Sequence, residues 1–199
     1  MIARGGRVFV LLSAAAAVAT FFVSVYACVA FACLAGFLAF VFRDPSRSAG
    51  SGIVAPADGV VREVDHEKGL VSIYLALRNV HVTRAPTDGV VSKMVRYPGR
   101  HLPAFSARSP NNERVEVGME TGIGGITIMH MSGILARRIV PYVDQGIPLG
   151  KADRLGLIRF GSRVDLFLPP GRVRIKAQVG QRLRAGVTCV AEVADDRSG

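Results

Sequence analysis

From Val8 to Phe42 the chain runs 35 consecutive residues without a charged side chain, bounded by Arg4 and Arg7 on one side and Arg43 on the other. A single bilayer span takes about 20 residues at ~1.5 Å each, so this run is too long for one comfortable helix and slightly short for two full ones. The pattern predicts a membrane anchor over residues 1–42, either one long span or, in better accord with the basic residues at both ends, a helical hairpin with both flanks on the cytoplasmic side. A cleaved signal peptide fits less well, because its apolar core is only ~7–15 residues long and ends in a small-residue cleavage site. Ser13–Ala17 and Gly36 supply small residues for close helix contact.

Beyond Arg43 the pattern changes to short alternating segments rich in Val and Ile, punctuated by Gly, Pro, Asp and Asn. Gly59–Val64, Leu70–Leu75, Gly89–Val95, Arg114–Met119, Gly125–Met131, Arg163–Leu168 and Val187–Val193 read as strands. One helix is predicted over Ser132–Tyr142, where Ile134, Leu135, Ile139 and Val140 share a face, with Ser132 as N-cap and Pro141 near the end. The expected fold of residues 43–199 is therefore mainly β (α+β), a strand-rich barrel or sandwich with one short helix. Tyr97–Asn112 interrupts the strands with a long Pro/Gly/Ser/Asn-rich loop carrying Phe105 and His101, a length typical of lids and binding loops.

Composition narrows the function classes. Of 199 residues 50% are hydrophobic, yet 25 Lys and Arg stand against 15 Asp and Glu, so apolar and basic properties are separated along the chain. Only Arg4 and Arg7 of those cations precede residue 43, which leaves the remainder at a net charge of +8. A basic domain tethered to a membrane is drawn to anionic headgroups, by about 1 kcal/mol per nearby Lys or Arg. The absence of Trp and an aromatic content of 7% argue against a nucleic-acid surface built on stacking. Arg172, Arg174, Lys176, Arg182 and Arg184 form a cationic stretch whose spacing suits the solvated face of a strand. Cys28, Cys33 and Cys189 have the spacing of neither a disulfide framework nor a zinc site, and no metal site is expected.

Neither GxSxG nor a phosphate-cradling loop occurs. The candidates for chemistry are few, and each has a plain alternative. Asp58 lies in Pro56-Ala57-Asp58-Gly59, which is also good turn chemistry. His81, one of four histidines with His66, His101 and His130, lies beside Arg84 in a strand where a core hydrogen bond would suffice. Ser162 in Gly161-Ser162-Arg163 also suits an ordinary strand start.

Taken in order, Phe42-Arg43-Asp44-Pro45-Ser46-Arg47, Ala55-Pro56-Ala57-Asp58-Gly59, the block from Asn79 to Gly89 (Asn-Val-His-Val-Thr-Arg-Ala-Pro-Thr-Asp-Gly), Ser132-Gly133-Ile134-Leu135-Ala136-Arg137-Arg138-Ile139-Val140 and Gly161-Ser162-Arg163 resemble the short, archaeal-type class of phosphatidylserine decarboxylase proenzymes. The resemblance spans Phe42 to about Leu168. It implies a membrane enzyme of phospholipid biosynthesis that converts phosphatidylserine to phosphatidylethanolamine and CO2. It also implies self-cleavage between Gly161 and Ser162 into a β chain (1–161) and an α chain (162–199) that remain together as a heterodimer. Ser162 would be both the cleavage nucleophile and the source of a covalent pyruvoyl group, the only cofactor, which forms a Schiff base with the substrate amine. Longer relatives carry a second histidine where Arg84 stands here.

A serine hydroxyl needs a base within reach and a third group to orient that base, roles that His81 and Asp58 can fill. Gly161 gives the backbone freedom for the attack. Arg163 is expected either to attract the substrate carboxylate or phosphate or to serve as a solvated strand cation. Arg84, His101 and Phe105 complete the expected substrate-binding set. The expected partner is a serine-headgroup phospholipid at the cytoplasmic face of the cell membrane, with no nucleic acid and with a homo-oligomer left open. Two other classes compete: a membrane-anchored serine hydrolase or peptidase using Ser162, His81 and Asp58, and a non-catalytic barrel that docks on anionic lipid.

Overall fold

The computed structural model describes residues 1–99, 112–133, 139–158 and 162–194. The chain divides into two units, residues 1–46 and 47–199. In the first, helices α1 (Arg7–Thr20) and α2 (Val25–Val41) form a hairpin. Ser24 caps α2 by accepting from the Ala27 N–H at 3.4 Å, and the two ends of the hairpin meet where Ala3 N–H donates to the Phe42 carbonyl at 2.8 Å. The expected hairpin is present, but its transmembrane character needs correction. The two helices, of 14 and 17 residues, extend only ~21 and ~26 Å against ~30 Å of hydrocarbon. No helix among the described residues is long and apolar enough to cross a membrane. The turn at residues 21–24 takes four residues out of an already short run. Its surface is nonetheless apolar: Leu11, Leu12, Phe22 and Tyr26 are exposed, Phe22 to 92%.

The second unit is built of strands β1 (Ile53–Val54), β2 (Gly59–Asp65), β3 (Leu70–Leu75), β4 (Val82–Arg84), β5 (Gly89–Tyr97), β6 (Arg114–Thr121), β7 (Gly124–Met131), β8 (Ile139–Pro141), β9 (Pro148–Leu149), β10 (Arg154–Ile158), β11 (Ser162–Phe167), β12 (Val173–Ile175), β13 (Arg182–Leu183) and β14 (Cys189–Val193). Eight form one antiparallel sheet in the order β13-β2-β3-β11-β7-β6-β5-β9, beside two three-stranded sheets, β4-β10-β8 and β1-β14-β12. The seven expected strand segments all fall within or across these elements, because alternating Val and Ile can bury one face of a pleat while the other stays wet. Val61, Ile73, Leu75, Val117, Ile128, Val164 and Leu166 line that buried face, each at most 1% exposed. Gly69 closes the β2–β3 hairpin at φ +64°, where a Cβ would also collide with the Leu168 carbonyl at 2.0 Å.

The helix expected over Ser132–Tyr142 is corrected at its C-terminal end. Ile139–Pro141 is a strand that pairs with β10, Ile158 opposite Ile139, and residues 134–138 lie outside the described set. The same apolar residues serve either period, and the free edge of β10 decides for the strand.

Candidate active site around Ser162

Ser162 opens β11, between β3 and β7 in the middle of the large sheet, opposite Leu75. Val164, two residues on, faces Ile73 on one side and His130 on the other. Directly opposed residues of antiparallel strands share a face, so Ser162, Leu75, Val164 and His130 all point to the apolar interior. Ser162 is fully buried, and its Oγ has no hydrogen-bond partner among the described residues.

Strand β4 covers this face. His130 Nε2 lies 3.0 Å from Thr83 Oγ1, and the Thr83 hydroxyl also reaches the Gly156 carbonyl at 3.3 Å. His81 stands two residues before Thr83, so strand alternation sets it on the same side; it is 1% exposed. Its carbonyl accepts from Ile158 N–H at 3.1 Å, four residues before Ser162 in the chain. Two strand pairings thus bring His81, Thr83, His130 and Ser162 to one region.

Asp58 sits in the adjoining loop. Gly59, the next residue, has no room for a side chain, since a Cβ would lie 2.3 Å from the Tyr74 carbonyl. The Arg84 N–H donates to the Pro56 carbonyl at 2.8 Å, tying this loop to β4. The Asp58 carboxylate is gripped by both terminal nitrogens of Arg47, one at 2.9 Å from Oδ2, and accepts from the Ala185 N–H at 2.8 Å. The arginine is buried, with 4% of its side chain exposed, and also donates to the Ala185 carbonyl at 2.8 Å. Sequence reasoning assigned Arg47 no role; that it ended the Phe42–Arg47 block was the one available signal.

His130, counted in the sequence among the four histidines available for chemistry, takes its place on this face. Burial pushes its imidazole down to about 4, partly offset by the Val115 carbonyl, so the ring is neutral at physiological pH.

Two expected ligand-binding residues are placed elsewhere. Arg163 leaves β11 on the face opposite Ser162, where its Nε donates to Asp165 at 2.7 Å and Glu63 lies 3.8 Å away. The substrate-anion role expected of it does not suit that position, because alternation turns neighbouring side chains to opposite faces. Arg84 is buried on the side of β4 away from Thr83 and donates to the Ala152 carbonyl at 2.9 Å. His101, Phe105 and Gly161 lie outside the described residues.

A profile of the phosphatidylserine decarboxylase family matches residues 34–191, which include Ser162 and every group described above. The chain belongs to that family. It is 46% identical over 159 residues to the phosphatidylserine decarboxylase proenzyme of Streptomyces avermitilis, covering 78% of this chain and 74% of the relative. It is 45% identical over 164 residues to a putative archaetidylserine decarboxylase proenzyme of Halobacterium salinarum, covering 79% and 82%. The phosphatidylserine decarboxylase proenzyme of Pelodictyon phaeoclathratiforme is 42% identical over 167 residues, 78% of each chain. Membership of this carboxy-lyase family gives the buried serine its significance.

Proposed function

We propose that this chain is a self-processing, pyruvoyl-dependent decarboxylase that converts a phospholipid with a serine headgroup to the ethanolamine form and CO2. The observation that carries the reading is Ser162 itself, a fully buried hydroxyl without a partner among the described residues, at the start of a central strand of a family member. A group formed from Ser162 fits this place: the inner face offers an apolar wall in Leu75 and Val164 and neutral hydrogen-bonding side chains in Thr83 and His130. The pyruvoyl ketone supplies an electron sink for loss of the substrate carboxylate, the role pyridoxal phosphate plays in other enzymes.

The chain's own residues carry the protons. His81, held beside the strand that leads to Ser162, is assigned to deliver a proton to the substrate α-carbon once CO2 has left. Asp58, fixed by Arg47 and Ala185 in the loop tied to β4, is assigned to orient His81. Cleavage between Gly161 and Ser162 separates residues 1–161 from 162–199, and the two chains stay together because β11 is hydrogen-bonded on both sides by strands of the other chain.

The apolar hairpin is read as a membrane-embedded anchor that enters without spanning, with Arg4, Arg7 and Arg43 at the cytoplasmic headgroups. This keeps the enzyme at the surface, where the serine headgroup is met without drawing dozens of CH₂ groups into water at ~0.8 kcal/mol each.

Intact-mass analysis under denaturing, reducing conditions tests the reading. Two chains are expected, the smaller with a blocked N-terminus; one uncut species of 21.2 kDa would refute it and favour a serine hydrolase.

A further inference from the structure

Self-cleavage and substrate turnover each need a proton carrier, and the second histidine of longer relatives is replaced here by Arg84, which points away from Ser162. The inner face supplies another. We propose that His130 accepts the Ser162 hydroxyl proton during self-cleavage, with Thr83 as the positioning residue that holds its ring, so that His81 is left to serve turnover. This rests on the reading that the chain processes itself at Ser162.

Three observations carry it. Ser162 and His130 are diagonal neighbours on adjacent strands of the same face, a relation that sets the two positions ~7 Å apart, within reach of an imidazole and a hydroxyl turned toward each other. Both have a buried polar atom without a partner among the described residues, Ser162 Oγ and His130 Nδ1, one able to donate and the other to accept. The other ring nitrogen is occupied: with the Thr83 hydroxyl directed to the Gly156 carbonyl, its oxygen is left to accept from Nε2–H, which makes Nδ1 the lone-pair nitrogen.

The Val115 carbonyl beside the ring favours its protonated form, and the facing side chains carry no charge. The side chains facing His130 from β6, β11 and β4 are Val115, Val164 and Thr83, none of them charged. Arg114, Glu116, Arg163 and Asp165 leave those strands from the other face, and His81 lies on the Thr83 side of β4. Burial holds His130 neutral down to about pH 4.

The step balances without a further reactant. Ser162 Oγ forms a bond to the Gly161 carbonyl carbon as its proton passes to His130 Nδ1. The C–N bond to Ser162 then breaks as the same proton moves from His130 to the departing nitrogen. The product is an ester with a free α-amine, and His130 returns to its starting state. A positioned base of this kind contributes about 10²–10⁴-fold.

The test uses the full chain freshly made by cell-free translation in detergent and follows conversion to two chains by denaturing mass spectrometry. Wild type, Ser162→Ala, His130→Gln, Thr83→Val and Thr83→Ser are compared, with folding of each checked by circular dichroism. His130→Gln is expected to slow cleavage by about 100-fold or more. Thr83→Val should slow it by a smaller factor that Thr83→Ser restores. The wild-type rate should stay level from pH 8 to 6 and fall only toward about pH 4, whereas an ordinary histidine base would bend the profile near 6.5. A folded His130→Gln chain that cleaves at the wild-type rate overturns the proposal and leaves the reading of the enzyme intact; a wild-type chain that never cleaves overturns the reading instead. If His130→Gln fails to fold, the wild-type profile decides, a midpoint near 6.5 overturning the proposal and one near 4 supporting it.

Discussion

Replacing Arg47 by Met is expected to be among the most costly single changes outside the apolar core. The guanidinium grips both oxygens of Asp58 while only 4% of the Arg47 side chain and 11% of the Asp58 side chain meet solvent. In Arg47→Met the carboxylate would keep the Ala185 N–H at 2.8 Å as its remaining donor among these contacts, a buried charge without a counter-charge. Removing one partner of a buried pair costs about 3–5 kcal/mol, and at about 2–4 °C per kcal/mol for a domain of this size the melting temperature should drop by roughly 10 °C. Arg47→Lys keeps the charge and loses the two-pronged grip, so roughly half that loss is expected. Adding Asp58→Asn to Arg47→Met removes the stranded charge and should recover several degrees, a non-additivity characteristic of groups in contact. The comparison belongs in a Ser162→Ala background, where every variant stays one covalent chain, with melting followed by circular dichroism in detergent. A shift below about 2 °C for Arg47→Met, or strict additivity in the double variant, would refute the reasoning.

Ser162→Ala alone should abolish self-cleavage yet leave stability unchanged or up to about 1 kcal/mol higher, because it removes a buried hydroxyl that has no partner among the described residues; thermal melts beside intact-mass spectra check both halves. His130 binds its proton only below about pH 4 when folded and near 6.5 when unfolded, so it leaves stability unaffected above pH 6.5 and erodes it as pH falls toward 4, by roughly 3 kcal/mol at the acid end. In the Ser162→Ala background, His130→Gln should flatten that part of the stability profile; an unchanged slope between pH 6.5 and 4 would contradict the burial argument. Replacing the exposed Leu11, Leu12 and Phe22 together by Ser should release the protein from anionic vesicles in sedimentation assays, since each buried apolar side chain is worth about 1.5–3 kcal/mol.

Much of the architecture was legible in the order of residues, because strands and helices follow local periods. The two-residue alternation of Leu70–Leu75 and Arg114–Met119 located strands to within a few residues, and the uncharged run ending at Phe42 located the hairpin. Local pattern failed where two periods fitted one stretch: Ile139 and Val140 suited a helix face until pairing with β10 made them a strand. The blocks containing Asp58, His81 and Ser162 were equally legible, since motif order is a property of the sequence.

Which side chains meet is decided by strand pairings between residues far apart in the chain. Arg47 and Asp58 are eleven residues apart on irregular segments, and nothing in their spacing marks them as an ion pair. His130 faces the same interior as Ser162 only because β7 and β11 pair with Val164 opposite His130, a register fixed by which faces can be buried. The same register turns Arg163 outward to Asp165 and Glu63, though it is joined covalently to Ser162. Sequence by itself determined the elements, the family and the serine; the tertiary structure chose the serine's neighbours, because burial of one face of a pleated sheet selects partners by register and not by proximity along the chain.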